Sequence, residues 1–344
     1  MAYTSQFTVY SSVDASHPVL NGLSGSLLAV LNGCLVTGYG SKPGAGWTKT
    51  GSIGPANGIA ISDATGSGIF VMPTGSGATF YVMDGGLDVP AGRTARLVGY
   101  DYITQTGPQT GSSPNNITGS NQFPTNTQIS IGGGSGYVSI RKSTSNDATE
   151  RQWTIFADSS SVYMFFATGD IAGVYIGHFF GDIYSLKSSG QDAYKAMVIA
   201  NHVNQAGYGT TNDDFDVLSL VNDSTTAHFL QRSYSGTVGS ITCGKHGDGA
   251  KGSTTVLLGI TQYVNGPDSG LYLSPIWVHE NASACIRGRM RGLWHVCHPI
   301  ANFSDGQIIS FTTGDYAGRT FRILKTTPNS GMICMETSAT VETN

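Results

Sequence analysis

Charge is scarce in this sequence. Of 344 residues, 18 are Lys or Arg and 22 are Asp or Glu, 12% in all, which is about half the usual share. The net charge is −4 and the Lys and Arg are scattered, so no basic footprint for a phosphate backbone is present and nucleic acid is not an expected partner. Long apolar runs are also missing. No stretch approaches the roughly 18 uninterrupted apolar residues of a spanning helix, and membrane insertion is not expected. Met1-Ala-Tyr-Thr-Ser-Gln-Phe-Thr8 has neither the basic nor the apolar region of a secretory signal, which points to cytoplasmic synthesis. The five cysteines (Cys34, Cys243, Cys285, Cys297, Cys334) contain no CxxC pair and read as buried free thiols rather than a disulfide framework. The 47 glycines keep no period of three, which excludes collagen.

What is present is small and β-prone. There are 38 Ser and 36 Thr, and residues are 39% hydrophobic and 10% aromatic, enough apolar surface to exclude a disordered chain. The reading is a mainly β fold with one N-terminal amphipathic helix and two β-sandwich-like domains. The helix rests on Leu20, Leu23, Leu27, Leu31 and Cys34, spaced three or four apart, which predicts one buried face over Ser16 to Val36 with Ser16 as N-cap.

Short apolar runs separated by Gly, Asn and Ser predict strands at 68–72, 78–83, 96–103, 136–141, 151–157, 161–167 and 172–181. The last run, Ala172-Gly-Val-Tyr-Ile-Gly-His-Phe-Phe-Gly181, is apolar on both alternating faces, as a strand covered on two sides is. Residues 192–201 read either as a short helix or as a strand. Thr104–Ser135 is almost entirely Gly, Ser, Thr, Asn, Pro and Gln and reads as a long loop. A break in pattern between His202 and Asn212 places a boundary, giving residues 1–205 as an N-terminal domain and 206–344 as a C-terminal one. Further strands are predicted at 215–221, 228–230, 254–260, 270–278, 284–289, 319–326 and 331–337.

Candidate chemistry is thin. Cys243 and His246, with His295, Cys297 and His298, are the only soft ligands at close spacing, yet alternate strand residues face opposite ways, so His295 and Cys297 share a face that His298 does not. The alternative is a core cysteine with turn or surface histidines, and no metal site is assigned. Gly132-Gly-Gly-Ser-Gly136 lacks the Gly-Lys-Ser/Thr and helix that cradle phosphate, and no cofactor is expected. Asp213, Asp214, Asp216 and Asp223 form an acidic cluster without the alternating ligand loop of a calcium site. No nucleophile elbow is visible. Catalytic, cofactor-binding and metal residues are therefore none, and an enzyme is not expected. Arg287-Gly-Arg-Met-Arg291-Gly-Leu-Trp294 reads either as an interface hot spot or as a charged strand edge.

Gly38-Tyr-Gly-Ser-Lys-Pro-Gly-Ala-Gly-Trp-Thr-Lys49, following the predicted helix, resembles a motif in a family of uncharacterised virion structural proteins of tailed bacteriophages. The likeness continues through 79–84, 95–100, 151–158, 178–183, 273–278, 286–294 and Gly318-Arg-Thr-Phe321, spanning most of the chain but not Thr104–Ser135 or Trp294–Pro299. The resemblance implies a multicopy component of the tail, baseplate or collar, with other virion proteins and copies of itself as partners. It transfers no catalytic residue. The alternative is a decoration or receptor-binding protein on the virion surface, with host glycan as ligand.

Overall fold

Runs of β-branched and aromatic residues between turn formers become strands here, because a pleated surface accepts branched and flat side chains with little loss of rotamer freedom. The computed structural model describes residues 3–50, 67–84, 93–106, 117–124, 138–167, 175–187, 191–200, 228–238, 241–246, 273–280, 285–296, 303–325, 332–338 and 340–342. The fold is mainly β. In chain order the strands are β1 (Tyr3–Ser5), β2 (Thr8–Ser11), β3 (Thr48–Thr50), β4 (Ser67–Val71), β5 (Thr79–Met83), β6 (Thr94–Tyr100), β7 (Tyr102–Thr106) and β8 (Ile117–Ser120). They continue with β9 (Val138–Arg141), β10 (Trp153–Ala157), β11 (Ser161–Phe166), β12 (Ile176–Asp182), β13 (Tyr184–Ser185), β14 (Ala196–Ile199) and β15 (His228–Leu230). The last are β16 (Ile241–His246), β17 (Leu273–Glu280), β18 (Cys285–Val296), β19 (Ile308–Ser310), β20 (Thr320–Lys325), β21 (Met332–Glu336) and β22 (Thr340–Glu342).

These strands form one long antiparallel sheet, ordered β19-β20-β21-β18-β17-β16-β15-β14-β12-β11-β10-β2 with β13 attached to β18, and a separate sheet β3-β4-β5-β6-β9. Two ribbons, β1-β22 and β7-β8, complete the set. Residues 192–201, open between helix and strand, contain β14. The β7-β8 ribbon occupies part of the segment read as a loop over Thr104–Ser135, and residues 107–116 and 125–135 lie outside the described residues. The strands expected at 215–221 and 254–260 lie outside them too. The sheet continues across the boundary placed near residue 206, since Met197 on β14 pairs with Leu230 on β15.

The helix is much shorter than the leucine spacing predicts. It runs over α1 (Ser26–Asn32) and continues as a π-helical turn over Gly33–Thr37. Leu20 instead makes a bridge with Arg151, and Leu23 is 42% exposed. The N-cap is Gly25 at φ 84, a left-handed conformation that ends any helix arriving from Ser16. The orphan N–H groups of Leu27 and Leu28 donate to the carboxylate of Asp84, at 2.7 and 3.2 Å, from the end of β5. The start of α1 is thus set by a residue nearly sixty positions away.

Two cores flank β10, β11, β12 and β14. On one face, Trp153, Ile155, Met164, Phe166, Phe180 and Val198 join α1 and Phe70, Phe80 and Leu97 of the smaller sheet. Trp47, Phe80 and Phe180 meet there with ring centroids 5.0–5.9 Å apart, each contact adding about 0.5–1.5 kcal/mol beyond burial. On the other face, Phe156, Tyr163, Phe165, Phe179 and Ile199 meet Ile276, Val278, Met290, Leu293 and Ile333 from β17, β18 and β21. The long sheet therefore packs part of itself against another part. This double covering explains why β12 is buried at every position. A further cluster, centred on Trp294, Phe321, Ile323 and Cys334, has a half-buried rim that includes Ile309 and Phe311.

Candidate functional site: an arginine seam and two unlike sheet edges

Strand β18 carries the Arg-rich segment, and its guanidiniums point into the protein. Arg287 and Arg291 are 2% and 3% exposed, which corrects the expectation of an exposed hot spot or charged edge at these two positions. A buried guanidinium needs carboxylates and other acceptors to offset its desolvation, and the fold provides them from distant elements. Arg287 donates to Asp192 at 2.5 and 2.9 Å and to Glu280 at 2.5 Å. Burial alone would raise Asp192, but the Arg287 and Ser185 hydrogen bonds and the Arg287 charge hold its carboxyl below the ordinary range.

Arg291 donates to Asp158 Oδ2 at 2.5 Å, to Ser161 Oγ at 2.7 Å and to Ser160 Oγ. Asp158 and Ser160 stand in the tight turn between β10 and β11. Arg289 lies over the Tyr184 ring at 4.9 Å. Close approach completes the seam: a Cβ on Gly288 would stand 2.1 Å from the Tyr184 carbonyl oxygen, so β13 can lie against β18 only because that side chain is absent.

The same device recurs beside the seam. Asp101, at the end of β6, accepts from Arg232, from Gln231 at 2.8 Å and from Asn121 at 3.0 Å, tying the smaller sheet to the segment after β15. Asp182, 2% exposed, accepts from the Ser76 amide at 2.9 Å and the Ser76 hydroxyl at 2.6 Å, with Lys195 at 3.6 Å. Burial pushes Asp182 up to about 6, against the pull of Ser76 and Lys195. His178, on the same strand, is fully buried and pushed down to about 3 by that burial.

The residues weighed as metal ligands are held apart by strand register where the structure describes them. Cys243 lies opposite Glu280 on β17 and His295 lies opposite Ser274. At about 3.3 Å per residue those two positions are roughly 20 Å apart, while zinc bonds are about 2.0–2.3 Å. His246 is opposite Trp277, between the two. Cys297 and His298 lie outside the described residues, as do Asp213, Asp214, Asp216, Asp223 and the Gly132–Gly136 run. Among the described residues no three His, Cys, Asp or Glu side chains gather as a metal-binding group. Cys34 and Cys334 are buried free thiols and Cys285 is half-buried.

The two ends of the long sheet differ. On β2, Val9 and Ser11 point their amides and carbonyls away from β10, and three of these four groups are bonded within the chain. Lys42 Nζ donates to the Val9 carbonyl at 2.6 Å, the Ser11 amide donates to Asp14 at 2.8 Å and to Tyr39 at 3.0 Å, and the Ser11 carbonyl accepts from the Asp14 amide at 3.0 Å. On β19 the ladder to β20 uses Ile309, with Gln307 and Phe311 bonded on either side. The N–H and C=O of Ile308 and Ser310 therefore point outward, and no strand lies beyond them among the described residues.

Sequence reasoning singled out the arginines but not their partners. Asp158, Asp192 and Glu280 are isolated acids in sequence, with no spacing signal to join them to β18. No protein-family model matches this sequence, and no curated protein matches it significantly.

Proposed function

We propose that this chain is a multicopy structural component of a tailed-bacteriophage virion, in the tail, baseplate or collar, acting through assembly contacts rather than catalysis. The arginine seam is the observation that carries the reading. Buried ion pairs are weak sources of net stability, but here they tie β18 to Asp158, Asp192 and Glu280 on separate segments, which suits a subunit that must present the same surfaces in every copy. The sparse charge fits as well, because ions cost most to bury between neighbours. The sequence resemblance supplies the phage context. The finer description, two β-sandwich-like halves meeting near residue 206 with an N-terminal amphipathic helix, belongs to the same reading. Partners are then other virion proteins and copies of itself.

Peptide quantification on purified particles tests it. The chain is expected at a fixed, multicopy ratio to the other particle proteins, and its absence from particles when present in infected-cell lysate overturns the reading. The alternative of a receptor-binding or decoration protein draws on Tyr102, 55% exposed on the β7-β8 ribbon, a placement suited to sugar stacking. Binding of the purified protein to host cells, lost in Tyr102→Ala, would favour it.

A further inference from the structure

We infer that the β19 edge is a self-association site, where a second copy of this chain adds its own β19 antiparallel about a two-fold axis through Ile309. The inference deepens the assembly reading and rests on it. The hydrogen-bonding chemistry is fixed by register. Ile308 and Ser310 each present an amide and a carbonyl away from β20, so the ligand they accept is an extended backbone with matching groups two residues apart. A second β19 has that spacing. With the axis at Ile309, Ile308 of each copy exchanges both hydrogen bonds with Ser310 of the other, and the two Ile309 residues face each other at a close, non-hydrogen-bonded position.

Side chains agree with the same occupant. Ile309 and Phe311 are half-buried at the rim of the Trp294–Phe321 cluster, so two copies would close one rim against the other and extend the apolar face. Ile308 is 67% exposed on the opposite face. Gln307-Ile-Ile-Ser-Phe-Thr-Thr-Gly314 contains no Lys, Glu, Asp or Pro, the residues that ordinarily keep an exposed edge from pairing. No like charges from this segment would meet across the axis. On β2, by contrast, the Val9 carbonyl and the Ser11 amide are bonded to Lys42, Asp14 and Tyr39, while among the described residues no strand lies beyond β19. Three residues a side make a small interface, at the weak end of specific association.

Sedimentation of the full chain over a concentration series, up to about 1 mM, tests the inference together with residue-resolved amide exchange. A monomer–dimer equilibrium is expected, with the Ile308 and Ser310 amides exchanging more slowly as concentration rises. Ile308→Pro removes an outward N–H and leaves the Ile309–Phe321 bonds in place, so it should weaken association by about tenfold or more. Ile308→Lys, which leaves the backbone intact, should weaken it as well. A chain that stays monomeric throughout, or a dimer with unchanged exchange at Ile308 and Ser310, overturns the inference. Because particle content is measured separately, failure here leaves the virion reading to stand or fall on its own experiment.

Discussion

Lys142 and Asp84 form an ion pair in which neither side chain has any exposure to solvent. The lysine also donates to the Leu23 carbonyl at 2.5 Å and to Ser26 Oγ at 2.9 Å, while the aspartate caps α1. Removing one partner leaves a buried charge without its counter-ion, which costs about 3–5 kcal/mol. Lys142→Met should lose that much in a urea titration. The double variant Lys142→Met/Asp84→Asn removes both charges and keeps an acceptor for the helix. It is expected to recover most of the loss, and additive losses would show that the pair is not coupled.

Acidification should reveal two opposed contributions on β12. Asp182 has its pKa raised to about 6 by burial, so between about pH 4 and 6 the folded chain binds more protons than the unfolded one. Its contribution to stability therefore grows as pH falls through that window, by on the order of 2–3 kcal/mol. His178 has its pKa lowered to about 3, so the unfolded chain binds more protons below about 6.5 and stability falls over much of the same range. Relative to wild type, Asp182→Asn should lose stability on going from pH 6 to 4, and His178→Gln should gain it. Denaturant midpoints of the three chains at each pH check the signs.

Arg287 bridges Asp192 and Glu280 through three short hydrogen bonds. Lysine keeps the charge but lacks the planar fork. Arg287→Lys should therefore destabilise by about 2 kcal/mol or more, and Arg287→Met by about 3–5 kcal/mol. An Arg287→Lys variant as stable as wild type in chemical unfolding would refute the bridging role.

Gly288 leaves no room for a methyl group beside the Tyr184 carbonyl. Gly288→Ala should push β13 off β18 at a cost of about 1–3 kcal/mol, and faster amide exchange at Leu186, whose amide bonds to the Arg287 carbonyl at 2.9 Å, would report the separation.

Thiol labelling should follow burial. Burial pushes the Cys34 and Cys334 thiols well above their ordinary range, and the thiolate is the reactive form. Peptide mapping of the native protein should find half-buried Cys285 modified before Cys34 and Cys334, which react only on unfolding.

Periodicity exposed many of the strands because burial on one or two faces leaves a direct mark on sequence. The runs at 151–157, 161–167 and 172–181 correspond to β10, β11 and β12, each buried throughout. Periodicity misled at Leu20 and Leu23, where helical spacing arises from a bridge residue and an exposed turn residue. Gly25, with its positive φ, was the local sign against the longer helix. Strands β2, β16 and β19 carry too few residues, or too much Gly, Lys and His, to stand out, and their pairing comes from neighbours supplied by the rest of the chain. The seam was half visible. Three arginines in five residues are conspicuous, but whether they face water depends on where Asp158, Asp192 and Glu280 arrive in space, which no local pattern records.

The clasp of Lys42, Asp14 and Tyr39 on β2 has a consequence for growth. A sheet able to accept strands at both ends can add copies indefinitely and become a fibre. With most of the outward groups of β2 already bonded within the chain, pairing through β19 would be spent after a single partner joins. A subunit paired through β19 as proposed would be doubled rather than extended along its sheet, and a larger array would draw on different surfaces.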